Sequence, residues 1–156
     1  MSKAKLTAKR LAGADHAVLT IEDAANRYRR KPCSDCPWRI DATGEFPAEA
    51  FILSANTATD GASLAAAIVK GAAISNPLAT FACHQSGAER PAVCAGYILR
   101  GESAIGWRIA LAKGRFDPVL VSDDDIELHE SYFEMAIANG VDPDDPALDH
   151  CRPWRR

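Results

Sequence analysis

"RYRRKPCSDCPWR", residues 27–39, decides how this chain is read. Cys33 and Cys36 stand two residues apart, so both sulfurs can reach one metal ion without straining the loop. The same spacing serves zinc sites, iron–sulfur clusters and redox dithiols. Pro32 and Pro37 flank the pair and oppose regular structure. Arg27, Arg29, Arg30 and Lys31 precede it and Arg39 follows, a run of positive charge suited to a polyanion. Half of a metal site, a reactive thiol pair and a basic strip are therefore the three readings to separate.

The remaining cysteines favour metal. Cys83 and Cys94 stand near the middle of the chain and Cys151 near its end. Cys33, Cys36, Cys83 and Cys94 supply four thiolates, the number that structural zinc or a 4Fe–4S cluster takes. The long segment between the pairs is no obstacle, because the entropy of closing a loop grows only with the logarithm of its length. His84 follows Cys83 directly, and adjacent side chains rarely aim at one ion, so His84 is expected beside the centre rather than on it. Cys151 is expected to be incidental, although "CRPWRR" echoes "CPWR". Zn2+ is slightly favoured as the more common ion of small folds. Two features lean towards a 4Fe–4S cluster: Pro37 removes a backbone N–H beside the site, and a Cys-Pro pair closes the bacterial ferredoxin run. The plain alternative is that the thiols are small buried apolar groups.

The chain has 156 residues, enough for one domain with a real core. Only 7% are aromatic, so small aliphatic residues must fill most of that core. A net charge of −3 hides an asymmetry. Residues 1–40 hold nine Lys and Arg against four Asp and Glu, and the remainder nine against seventeen. The start, "MSKAKLTAKRLAGADH", lacks the apolar run of a secretion signal, and no segment is long and apolar enough to span a bilayer. A soluble cytosolic protein is expected, where thiols stay reduced and a disulfide framework is improbable.

Elements follow from local chemistry. Residues 1–14 are expected to be a flexible basic terminus, frayed or weakly helical, ahead of one metal-binding domain over residues 15–156. "HAVLTIE", residues 16–22, has the β-branched content of a strand. Helices are expected in "FPAEAFILSANT" with Pro47 at its first position, and in "GASLAAAIVKG" with Asp60 as cap. Three more are expected: from Pro91 to Gly101, over "SAIGWRIALAKG", and from Ser122 to Gly140, where Asp123, Asp124 and Asp125 suit a helix N-terminus. "LATFAC" reads as a short buried strand leading into Cys83. The fold class is thus mainly α with one or two short strands, an α+β domain organised around a four-cysteine site.

Three blocks, "KPCSDCPWR", "FACHQS" and "CAG", together with "LHESYFEMAIANGV", carry a resemblance. Over residues 17–152 the chain resembles a family of small cysteine-containing proteins found in phage and prophage genomes and in some bacterial chromosomes. The resemblance implies no activity. It implies that Cys33, Cys36, Cys83, His84 and Cys94 belong to one constellation.

No Gly-rich phosphate loop, G-x-S-x-G or metalloprotease spacing is present. A non-enzymatic binding or regulatory module is expected, with a protein or nucleic-acid partner reached through the basic segment and no membrane partner. Lys3, Lys5, Lys9 and Arg10 extend that segment, and Tyr28 and Trp38 are candidates for stacking on bases. Packing beside the metal loop is the competing role for Trp38. The alternatives are a thiol-disulfide protein using Cys33 and Cys36, and an iron–sulfur redox sensor.

Overall fold

The structure is a computed structural model, and it describes residues 5–12, 16–22, 27–87 and 89–152. Two strands open the fold, β1 (Lys5–Ala12) and β2 (His16–Glu22), paired antiparallel with a register irregularity between Leu6 and Ala8. The next strand, β3 (Thr80–Phe81), adds to β2 through Thr20–Phe81 and Ile21–Thr80, giving an antiparallel sheet of order β1-β2-β3. Among the described residues the helices are five and short: α1 (Ala48–Ser54), α2 (Gly61–Val69), α3 (Ala95–Arg100), α4 (Ile105–Ala112) and α5 (Tyr132–Ala138). Four 3-10 turns accompany them. The domain is mainly helical and α+β, as expected.

Several elements fall where local chemistry puts them. β2 spans the expected residues. Asp60 caps α2, accepting from the Ser63 backbone N–H at 2.7 Å, and Gly71 beyond its end has φ +69°, a conformation that costs glycine little. Three expectations are corrected. Lys5–Ala12 is a strand rather than a frayed or helical terminus, because β2 supplies an antiparallel partner that propensity alone does not reveal. α3 begins after Cys94 rather than at Pro91, since residues 91–93 are extended and Val93 bridges to Tyr28 and Ala82. α5 begins after Ser131, nine residues later than expected. Asp124 and Asp125 adopt φ of +56° and +58°, which breaks any helix from Ser122. Ser131 takes the cap instead, accepting from the Glu134 N–H at 3.1 Å.

The core is built around Trp38, which is fully buried. Its ring meets Phe81 at 5.9 Å, Tyr132 at 6.0 Å and Tyr97 at 6.4 Å between centroids. The two buried phenols are satisfied: Tyr97 donates to the Thr57 carbonyl at 2.8 Å and Tyr132 to the Phe51 carbonyl at 2.6 Å. Gly96 lies so close that a Cβ there would sit 2.5 Å from Trp38 Cβ. The glycine of "CAG" is thus required by the tryptophan of "CPWR". Among the described residues, no helix is long and apolar enough to cross a membrane.

Candidate metal centre

Three segments converge on one side of Trp38. The Cys33–Cys36 loop is two successive turns, with Cys36 N–H donating to the Cys33 carbonyl at 3.2 Å and Arg39 N–H to the Cys36 carbonyl at 2.9 Å. Pro32 and Pro37 are both buried beside it. Cys83 leaves β3 and starts a turn in which Ser86 N–H returns to its carbonyl at 3.0 Å. Cys94 caps α3 and is tied to β3 by its N–H donating to the Phe81 carbonyl at 2.9 Å. The second pair reaches the first because Cys83 and Cys94 flank an extended return, in which Cys83 N–H donates to the Ala92 carbonyl at 2.7 Å.

The four sulfurs form a connected set. Cys36 Sγ lies 3.6 Å from Cys94 Sγ. Cys33 interacts with both Cys36 and Cys83 through its thiol. Cys36, Cys83 and Cys94 are 0–2% exposed, while Cys33 is half-buried. All five cysteines of the chain are free thiols.

Their protonation follows from the crowding. The Cys33 thiol is pushed up from 9.0 to about 11, first by its hydrogen bond with Cys36 and further by burial. Contact with Cys33 favours the Cys36 thiolate, but the Cys94 thiol and burial outweigh it and raise Cys36 strongly. Cys83 is raised by Cys33 and by burial. Neighbouring thiols and burial thus favour the protonated form of Cys33, Cys36 and Cys83.

Positive partners stand ready. Backbone N–H groups two residues on, from Trp38 and Gln85, point at the sulfurs of Cys36 and Cys83. The donor to the Cys36 sulfur is thus the Trp38 N–H, one residue beyond Pro37. Arg29 hydrogen-bonds the Cys83 sulfur, and its Nε is enclosed. Arg39 donates to the Cys33 carbonyl at 3.2 Å and grips Asp41 through two contacts of 2.7 and 2.6 Å. Arg27, Arg30 and Lys31 are exposed. Lys3 lies outside the described residues, and only backbone is described for Lys5, Lys9 and Arg10. Buried Trp38 is withdrawn from stacking on bases, and Tyr28 is half-buried.

Among the described residues, the donor atoms that lie mutually within 4.8 Å are those of Cys33, Asp35 and His84; of the four sulfurs, the Cys36–Cys94 separation is the one that matches a shared soft ion. A tetrahedron with Zn–S bonds of 2.3 Å has sulfur–sulfur edges of about 3.8 Å, close to the 3.6 Å between Cys36 and Cys94. Four thiolates around a divalent ion leave two negative charges, and Arg29, at the Cys83 sulfur, lies where it offsets part of them.

Asp35 was not singled out from the sequence, yet it belongs here. Cys33 Sγ, an Asp35 oxygen and a His84 ring nitrogen all lie within 4.8 Å of one another. His84 Nε2 is 3.0 Å from Asp35 Oδ1, and the Gln85 amide donates to that oxygen. Burial alone would raise the Asp35 carboxyl, but His84 and Gln85 hold it below its ordinary value. The signal was its place between Cys33 and Cys36, beside a His84 brought in by the second cysteine segment. Cys151 stays apart. Its thiol donates to the Leu148 carbonyl at 3.5 Å, and burial pushes it up to about 12.

No curated protein and no solved structure matches the chain. A family of unknown function (DUF6283) matches residues 28–152, beginning after the β1–β2 hairpin and taking in the whole aromatic core and all five cysteines. The chain belongs to that family.

Proposed function

We propose that the protein is a small non-enzymatic binding or regulatory module held together by one metal centre on Cys33, Cys36, Cys83 and Cys94, with Zn2+ as the ion. One observation carries the reading: the buried thiols of Cys36 and Cys94 lie 3.6 Å apart, and the Cys33 thiol contacts those of Cys36 and Cys83. Buried thiols dispersed as ordinary core residues have no reason to seek one another across 58 positions. When bound, the ion would fasten the Cys33–Cys36 loop to β3 and α3. Structural zinc contributes about 10–16 kcal/mol of apparent binding free energy in small domains.

The contact distance favours zinc over a 4Fe–4S cluster, whose cuboidal core holds its ligand sulfurs further apart. The thiol-disulfide reading is weaker. A nucleophilic cysteine needs a lowered pKa, and Cys33 is raised to about 11. The exposed Arg27, Arg30 and Lys31 are the groups left for a protein or nucleic-acid partner, in the cytoplasm of a bacterial host if the phage and prophage resemblance holds. Elemental analysis and an absorption spectrum of anaerobically purified protein test the assignment. A colourless protein with about one zinc per chain supports it. A brown protein with several irons per chain transfers the site to a cluster, and protein free of both metals refutes the centre.

A further inference from the structure

Of the four cysteines, Cys33 is the most open to solvent. Cys36, Cys83 and Cys94 are at most 2% exposed. Cys33 is half-buried, and the donors grouped with it open outward: the side chains of His84 and Asp35 are 25% and 43% exposed. Both His84 ring nitrogens are enclosed without a well-formed hydrogen bond, despite the 3.0 Å approach of Nε2 to Asp35. Phe46 fixes the imidazole edge-on, with centroids 5.1 Å apart. The Gln85 amide steadies the Asp35 carboxylate. Sulfur, imidazole nitrogen and carboxylate oxygen within 4.8 Å of one another are the mixed donor set that borderline divalent cations take.

We propose that Cys33, Asp35 and His84 form a landing site on the exposed side of Cys33, where a divalent cation is first captured before Cys33 hands it to the buried thiols. The proposal rests on the four-thiol reading above. Cys33 is the member common to both donor sets, in contact with Cys36 and Cys83 on its inner side and with Asp35 and His84 on its outer side. The ion can therefore exchange the oxygen and nitrogen ligands for sulfur without leaving Cys33. Capture is favoured by the ionised carboxylate, and retention by the softer thiolates inside. His84 and Asp35 act on the rate of loading, and the four sulfurs set the final affinity.

Stopped-flow uptake of Cd2+ by the reduced, metal-free full chain, followed by thiolate-to-cadmium absorbance, tests this. His84→Ala and Asp35→Asn should each slow uptake, by about tenfold or more in the double variant, while each still ends with one ion per chain. Asp35→Asn nearly preserves shape, so it stands if His84→Ala fails to fold. Unchanged uptake rates in Asp35→Asn and the double variant would overturn the proposal. So would a wild type that takes two ions and loses one in His84→Ala, which would mean a separate second site. A wild type that takes no cadmium at all would overturn the four-thiol reading itself.

Discussion

Cys36 and Cys151 sit in nearly the same words, "CPWR" and "CRPWRR", and in different worlds. Cys36 is fully buried, has a sulfur 3.6 Å away and receives a backbone N–H from Trp38. Cys151 is half-buried and gives its proton to the Leu148 carbonyl. Both thiols are held protonated, Cys151 mainly by desolvation and Cys36 largely by another thiol. Local sequence does not make a site; a long-range partner does. That partner exists for Cys36 because β3 and α3 deliver Cys83 and Cys94.

The comparison breaks most visibly by removing a thiol. Cys36→Ala and Cys94→Ala should lose metal and melt well below the loaded wild type, because the free energy of binding adds to that of folding. Metal content and thermal melts followed by circular dichroism check this. Next comes the core that holds the loop. Trp38→Ala should cost about 3–5 kcal/mol, and Gly96→Ala about 1–3 kcal/mol through overpacking against Trp38, both measured by denaturant unfolding of loaded protein.

The pH dependence should separate the loaded from the metal-free chain. The Cys33 thiol rises from 9.0 to about 11 on folding, so the folded state holds this proton more tightly than the unfolded one. Its contribution is complete below 9.0 and is lost as pH climbs through about 11. Metal-free protein should therefore weaken above that lower bound. Ion binding expels thiol protons, so metal affinity should instead strengthen as pH rises from acid to neutral. Melting midpoints of the two forms across pH would show the opposite slopes.

Smaller effects lie at the rim. Arg29→Gln removes a donor to the Cys83 sulfur and should weaken metal binding by about tenfold, read by competition with a chelator. Cys151→Ser should leave metal content unchanged and shift stability by no more than about 1 kcal/mol.

Much of this was legible. The approach of Cys33, Cys36, Cys83 and Cys94 to one another follows from thiol count and spacing, Asp60 from capping chemistry, and β2 from its β-branched run. Position along the chain misled elsewhere. Ser122 with its aspartates and Ser131 with Glu134 are both plausible helix starts, and only the left-handed Asp124 and Asp125 decide between them. β1 is a strand only because β2 pairs with it. Arg29 and Arg39 read as contacts for a polyanion, yet one turns to the Cys83 sulfur and the other to Asp41 and the Cys33 carbonyl. Charge is visible in sequence; the direction a charged side chain takes is set by tertiary neighbours.

X-ray absorption fine structure at the zinc edge of the purified full chain tests the central claim most directly. Four sulfur scatterers at about 2.3 Å, with no nitrogen or oxygen in the shell, is the predicted result. A mixed shell of two or three sulfurs with nitrogen or oxygen would contradict it and would place His84 or Asp35 on the metal.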